Sequence, residues 1–215
     1  MERKSILVAR DPVPDARPSK RAAYREATRR KILAAARPVL LGRGVEATAM
    51  DDIAAAASVS RATVYQHFAG MQMLLVALVV EDWEGQARLF AQLDPGSPPN
   101  LAALSSWLKR VTEGFKRAKG SLAVYRAALV HDDVGTGLHR GHRDRLARLL
   151  CHQLRDDPAN DEAPDVRVEA AMIVAEIEYL ATAGATVWRP SETEIAIAAT
   201  ARRMLAFAAM PARIG

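Results

Sequence analysis

Apolar residues recur at helical spacing along most of the chain, and no segment has the alternating, β-branched pattern of a strand. The first helix is predicted over residues 28–41, where five apolar residues share one face and Gly42 and Gly44 follow as stop signals. Loops are predicted where proline, glycine and acidic residues cluster, at residues 94–100 and 156–165. The pattern predicts an all-α chain of about nine helices, the later ones over residues 71–93, 100–117, 121–132, 136–156, 165–188 and 192–209.

The segment from Thr48 to Phe68 is predicted to hold two short helices separated by a turn. Thr48 is a suitable N-cap for the first helix, whose buried stripe repeats at helical spacing. The Ser-Val-Ser sequence at residues 58–60 interrupts that stripe, and its last serine is placed to cap a second helix beginning near Arg61. Two short helices joined by such a turn form a helix-turn-helix, whose second helix lies in the major groove in DNA-binding proteins.

The second helix has a face suited to reading base edges. Val64 and Phe68, four residues apart, are predicted to be its buried side. At roughly 100° per residue, Ala62 and Gln66 then point away from the core. Glutamine can pair with adenine through two hydrogen bonds, and an alanine methyl can touch a thymine methyl. The flanking side chains are of types that hydrogen-bond phosphates, namely Arg61, Thr63, Tyr65 and His67. For the tyrosine and the histidine taken singly, packing at the rim of the helix is the alternative.

The excess positive charge lies in the first third of the chain. Residues 1–70 hold 13 Lys and Arg against 7 Asp and Glu, whereas residues 71–215 hold 17 against 18. This asymmetry favours a polyanionic partner for the N-terminal part, either nucleic acid or an anionic membrane surface, with a solvated basic tail as the alternative. Residues 1–27 contain three prolines, scattered basic residues and few large apolar groups, and are predicted to be a flexible basic arm.

The segments 28-TRRKILAAA-36 and 48-TAMDDIAAAASVSRATVYQHF-68, together with Gly44 and Leu74, resemble the TetR family of transcriptional regulators. The resemblance implies a three-helix DNA-binding domain over residues 28–72. It also implies a larger helical domain over residues 73–215 that binds a small effector and dimerises through its last two long helices. The resemblance implies DNA contacts from six residues: Thr48, Arg61, Thr63, Tyr65, Gln66 and His67. The geometry of the second helix adds Ala62 to this set.

Three positions depart from the pattern of that family. Ser58 stands where the turn usually has glycine, so a left-handed backbone there would be strained. Met71 replaces a lysine that often begins the fourth helix, which removes one expected phosphate contact. Pro38 is expected to kink the first helix or fray its last turn. The arm is expected to compensate through phosphate or minor-groove contacts from Arg17, Lys20, Arg21 and Arg25.

No enzyme chemistry and no cofactor are predicted. The single cysteine, Cys151, cannot form an intrachain disulfide or a thiolate zinc cluster, and on a helix it diverges from its neighbour His152. No Gly-rich phosphate loop, nucleophile elbow or HExxH motif occurs in the sequence. A metal site is disfavoured for one polar, glycine-flanked cluster that is more typical of a loop leading into a surface helix: His131, Asp132, His139 and His142.

An effector pocket is expected among the middle helices, lined mainly by apolar and aromatic groups. The large apolar surface favours a lipophilic effector. For every candidate lining residue a plain core role is the commoner alternative. The candidates are Trp83, Trp107, Phe115, Tyr125, Met172, Glu176 and Tyr179.

The last helix is predicted to begin after Pro190 with a capping box made by Ser191 and Glu194. The two final helices have faces rich in small and apolar residues, which suggests a homodimer interface. The alternative is that these faces only pack against the chain's own core.

The predicted function is a one-component transcriptional regulator, a homodimeric repressor that a small lipophilic effector releases from a pseudo-palindromic DNA operator. The N-terminal apolar run is too short for a signal peptide, and the run from Leu74 to Val80 is far shorter than a membrane span. A cytoplasmic protein without a membrane partner is therefore expected. Two alternatives stay open: an all-α enzyme or lipophile carrier with a basic N-terminus, and a sequence-indifferent architectural DNA binder.

Overall fold

The computed structural model describes residues 19–117, 133–155, 161, 163–182 and 187–211, apart from the side chains of 115–117 and 133–136. These residues form eight α-helices and no strand, which confirms the predicted all-α class. The predicted helix over 121–132 lies outside the described residues. The helices are α1 (Lys20–Arg43), α2 (Met50–Ala56), α3 (Arg61–His67), α4 (Met71–Ala91), α5 (Leu101–Arg117), α6 (Asp133–Leu154), α7 (Pro164–Thr182) and α8 (Pro190–Ala208).

Two hydrophobic clusters divide the described chain, and both include part of α4. The first joins α1, α2 and α3 to the first half of α4, with Ile32, Ile53 and Leu74 fully buried. The second begins on α4 at Ala87 and contains the buried faces of α5 to α8. Because α4 supplies side chains to both clusters, it is the element through which the N-terminal helices and the C-terminal helices meet.

Helix α1 starts eight residues before its predicted position. The Ser19 hydroxyl caps it by accepting the Ala22 N–H at 3.2 Å, and the helix then runs through residues 20–27, which sequence analysis had placed in the flexible arm. Alanines in this segment favour the helix, and the last proline of the arm precedes it. The helix also continues past Pro38 and ends at Gly44, whose positive φ of 82° and N–H bond to the Leu40 carbonyl form the C-cap.

Two predicted N-caps are wrong by one or two residues. Ala49, not Thr48, precedes α2, and the Asp52 carboxylate accepts the Ala49 N–H at 2.9 Å. At α8 the helix begins with Pro190 itself, and Glu192 accepts the N–H of Arg189 at 2.7 Å. Proline suits the first helical position because its missing N–H needs no partner there. The predicted box residues Ser191 and Glu194 therefore lie inside the helix.

A buried arginine joins the end of α6 to the end of α8. The Arg155 guanidinium donates to the carbonyls of Phe207 at 3.2 Å and Met210 at 3.0 Å, and it pairs with Asp161 at 3.5 Å. A cation at a helix C-terminus satisfies carbonyls that have no partner within the helix. Arg155 thereby fixes α8 against the C-terminal core.

Among the described helices, none is by itself long and apolar enough to cross a membrane. Only α3 and α4 counted together reach that length and composition, and a 61° bend separates them.

Candidate nucleic-acid interface

Helix α3 presents the face that its sequence predicts. Val64 is 0% exposed and Phe68, the residue that ends the helix, is 3% exposed, so both pack into the first cluster. The residues on the opposite side of the helix and on its flanks are accessible to solvent. Thr63 and His67 are half-buried, and the exposed ones are Arg61, Ala62, Tyr65 and Gln66. The structure therefore brings six of the seven predicted DNA-contact residues onto one accessible surface of a short helix.

The turn before α3 combines a strained residue with a well-made cap. Ser58 has a positive φ of 50°, a left-handed conformation that is strained for a residue with a side chain. Lys31 on α1 donates to the Ser58 carbonyl at 3.5 Å. Ser60 then caps α3, its hydroxyl accepting the Thr63 N–H at 3.0 Å and lying 2.8 Å from the Thr63 hydroxyl. These contacts confirm the predicted cap and fix where α3 begins relative to α2.

Arg61 and Tyr65 lie along one edge of α3 and are held by neighbours. The Arg61 guanidinium pairs with Asp51 of α2 at 3.0 Å and lies 5.4 Å from the Tyr65 ring centroid. Both partners of the ion pair are well exposed, so the pair contributes little to stability. Arg61 and Tyr65 are both exposed, so a phosphate can compete for their hydrogen-bond donors.

His67 lies at the other edge, where α3 meets α1. Burial, followed by the charges of Arg25 and Arg29, lowers the pKa of the His67 imidazole. The Arg29 guanidinium lies 5.5 Å from the Phe68 ring centroid. The first turns of α1 therefore place positive charge directly beside the C-terminal end of α3, an arrangement that the assignment of residues 1–27 to a flexible arm had missed.

Thr48, the seventh predicted contact, has a different position. Its side chain is 8% exposed, and its hydroxyl donates to the Gly44 carbonyl at 2.7 Å. The Thr48 hydroxyl could donate its proton to a phosphate only if this hydrogen bond were broken. This hydrogen bond closes the loop between α1 and α2, and a DNA contact from Thr48 stays a prediction.

Two sets of side-chain contacts join α4 to α1 and to α6. Arg37 of α1 is held by both Glu81 at 2.9 Å and Asp82 at 2.7 Å, and it also donates to the Leu78 carbonyl at 3.4 Å. Half a turn further, Trp83 stacks on His142 of α6 with ring centroids 4.8 Å apart. The ion pairs join residues more than 40 positions apart, and no local pattern in the sequence indicates them.

The described members of the predicted effector pocket do not share one hydrophobic cluster. Trp83 belongs to the first cluster, whereas Trp107 is in the second, 1% exposed, with its indole N–H donating to the Leu89 carbonyl at 2.9 Å. Met172 and Tyr179 are 53% and 48% exposed on α7.

The remaining pocket candidates are Glu176, Phe115 and Tyr125. Glu176 bonds to residues of α8. The Glu176 carboxylate accepts from the Thr200 hydroxyl at 2.6 Å and pairs with Arg203 at 3.1 Å, joining α7 to α8. The side chain of Phe115 and all of Tyr125 lie outside the described residues.

Within the described ranges, His, Cys, Asp and Glu side chains form no group of three or more that could hold a metal ion. His139 and His142 instead stack on Trp83, at 6.0 Å and 4.8 Å between ring centroids. His131 and Asp132, the other members of the cluster considered from the sequence, lie outside the described residues.

The geometry of α2, the turn and α3 coincides with a family match. Residues 32–78 match the family model of bacterial regulatory proteins, tetR family. Over these residues the chain is similar to the regulatory domain of that family. The matched segment begins within α1 and ends within α4, and it contains every residue of the exposed α3 surface. No functionally curated protein matches the chain.

Solved structures of regulators share the fold along most of the chain. A protein of Mesorhizobium loti assigned to the TetR-family transcriptional regulators superposes with a TM-score of 0.65 at 18% identity, covering 85% of this chain and 96% of its own. Salmonella enterica GusR gives 0.62 at 23% identity, covering 83% and 93%. A complex of SmeT with triclosan gives 0.56 at 23% identity, covering 84% and 90%. At these identities the structures establish the shared fold.

Proposed function

We propose that the protein is a homodimeric repressor whose two α3 helices enter successive major grooves of a pseudo-palindromic operator. The observation that carries the proposal is the surface of α3, where Ala62 and Gln66 are exposed opposite the buried Val64 and Phe68. In this arrangement Gln66 reads a base edge, while Arg61 and Tyr65 on one flank bind phosphates and fix the register of the helix. Thr63 and His67 do the same on the other flank.

Selection from random DNA tests base reading directly. Short random-sequence duplexes are bound to the full-length protein, recovered and sequenced, and the enriched duplex is then competed with random DNA at about 0.15 M salt, where non-specific binding is weak. Enrichment of two related half-sites about one helical turn apart or slightly more supports the proposal. Binding without any enrichment supports an architectural DNA binder instead, and no binding at low salt supports the enzyme or carrier alternative.

The dimer of the proposal forms through α7 and α8. Val168, Met172 and Tyr179 are 63%, 53% and 48% exposed and share one face of α7, and Ile195 on α8 is 65% exposed. Large apolar side chains that cluster on adjacent terminal helices are typical of an interface that a second copy covers. The Glu176–Arg203 pair, with 3.1 Å between its charged atoms, joins the two helices.

The switch of the proposal acts through α4. A small lipophilic effector binds among the C-terminal helices and shifts α4, and Arg37, held to Glu81 and Asp82, makes α1 follow that shift. The separation of the two α3 helices then changes, and the dimer leaves its DNA-competent state. The complex of SmeT with triclosan, a protein of the same fold, supports a small-molecule effector.

A two-stage assay tests the switch. Small molecules that raise the melting temperature of the protein are first identified, and each is then added to the complex with the enriched duplex. Release of DNA at ligand concentrations that also stabilise the free protein supports the repressor mechanism. Tighter DNA binding upon ligand addition would contradict effector release and indicate an activator or corepressor mechanism instead.

A further inference from the structure

The first two turns of α1 form a helical extension that packs on nothing within the described chain. Every residue from Lys20 to Ala27 is exposed, including Tyr24 at 77%. The match to the regulatory family starts only at residue 32, so this extension precedes the shared core. A helix exposed on all sides gains no stability from burying an apolar face.

The charge of this segment is strongly positive. Between Lys20 and Lys31 the chain has six basic residues and one acidic residue, Glu26. Glu26 pairs with Arg30 at 3.8 Å on one side of the helix. Arg21, Arg25 and Arg29 follow one another at four-residue intervals and so share another side, which we call the arginine stripe.

The arginine stripe begins at the C-terminal end of α3. Arg29 lies 5.5 Å from the ring of Phe68, the residue that ends α3, and Arg25 and Arg29 both act electrostatically on His67. Arg21 lies one turn further out, about 6 Å along the helix. A row of guanidinium groups on one helix therefore continues the proposed DNA-facing surface beyond α3.

We propose that the arginine stripe binds the DNA phosphate backbone at the edge of the major groove that α3 enters. This inference rests on the proposed DNA-binding function and extends the contact surface to residues outside the family match. Phosphate is the fitting ligand because guanidinium groups bind it through paired hydrogen bonds.

The test measures how DNA affinity depends on salt. The full-length double variant Arg21→Gln/Arg25→Gln is titrated against a random-sequence duplex between about 0.05 and 0.3 M salt, because each phosphate contact adds about 0.9 to the slope of log affinity against log salt. Loss of four contacts per dimer lowers the slope by about 3.6 and the affinity near 0.1 M by roughly a thousandfold. Arg29 is left unchanged because it packs over Phe68.

Two control variants separate local contacts from net charge and from folding. Arg110→Gln/Arg140→Gln makes the same charge change at exposed positions on α5 and α6 and is expected to keep the wild-type slope. Arg21→Lys/Arg25→Lys keeps the charge on the extension and is expected to restore most of the slope. Circular dichroism of each variant reports whether the helix content is preserved.

The outcomes distinguish this inference from the proposed function. If wild type binds the duplex and the Arg21→Gln/Arg25→Gln variant has an unchanged slope, the arginine stripe does not bind phosphate, and reading by α3 is unaffected. Equal loss in the Arg110→Gln/Arg140→Gln control would also overturn the inference, because net charge would then explain the effect. Failure of the wild type to bind DNA at about 0.05 M salt overturns both proposals.

Discussion

The contact between α4 and α6 is expected to make the protein sensitive to mild acid through His142. The His142 imidazole is 7% exposed, lies 2.8 Å from the Gln86 side-chain oxygen and stacks on Trp83 with an interplanar angle of 8°. Burial, followed by the charges of His139 and Arg145, lowers its pKa to about 4. Arg143 acts in the same direction, and only the Glu84 carboxylate opposes it.

The sign and size of the effect follow from the two pKa values. In the unfolded chain His142 takes up a proton near pH 6.5, whereas the folded protein resists protonation until about pH 4. Stability is therefore lost as the pH falls through this window. The difference corresponds to at most about 3 kcal/mol at 1.36 kcal/mol per pKa unit. The pKa of the His139 imidazole is also lowered, first by burial, and this adds to the loss of stability at low pH.

Urea unfolding at fixed protein concentration, near pH 7, 5.5 and 4.5, measures this loss. The His142→Gln variant keeps an amide that can hydrogen-bond Gln86, and we expect its free energy of unfolding to fall about 2–3 kcal/mol less than that of wild type between the first and last pH. His152→Gln, an exposed position on the same helix, is the matched control and is expected to follow wild type. The reasoning is refuted if the His142 and His152 variants lose stability in parallel.

Three further substitutions test other parts of the structure. Arg37→Met should lower the free energy of unfolding, measured in urea, by about 2 kcal/mol, because two carboxylates lose a shared partner. The control Arg30→Met, on the same helix, should lower it by under about 0.5 kcal/mol. Equal losses in the two variants would contradict the reasoning. Ser58→Gly should stabilise by roughly 0.5–1 kcal/mol by relieving its positive φ, and no gain over Ser58→Ala would argue against strain. Met172→Glu should convert dimer to monomer in analytical ultracentrifugation, while Leu101→Glu, exposed on α5, should not; a dimer that survives Met172→Glu places the interface elsewhere.

The surface of α3 could be predicted from the sequence because it depends on local geometry. Val64 and Phe68 fix the buried side of a short helix, and the helical repeat then fixes the positions of Ala62 and Gln66. The left-handed Ser58 and its neighbouring cap are likewise local features of one turn. The caps of α2 and α8 were misplaced because several residues near a helix start can each accept the same kind of backbone hydrogen bond.

Contacts between distant segments could not be predicted in the same way. Arg37 meets its carboxylate partners on α4 only after two helices and a turn have folded between them. Met172 and Tyr179 were considered as pocket residues from their apolar or aromatic character alone, although α7 directs them outward. Which face of a long apolar helix is covered depends on tertiary packing, and composition does not determine it.

Base reading by Gln66 is the central claim, and its most direct test is the specificity of DNA binding by Gln66→Ala. Affinities of wild type, Gln66→Ala and Tyr65→Phe are measured for the enriched duplex, for single-base variants of it and for random duplex at one salt concentration. We predict that Gln66→Ala loses about 1–3 kcal/mol of discrimination at one or two base pairs per half-site and binds random duplex as wild type does. Tyr65→Phe should weaken binding to all duplexes alike. Equal loss on specific and random duplex for Gln66→Ala would contradict the account.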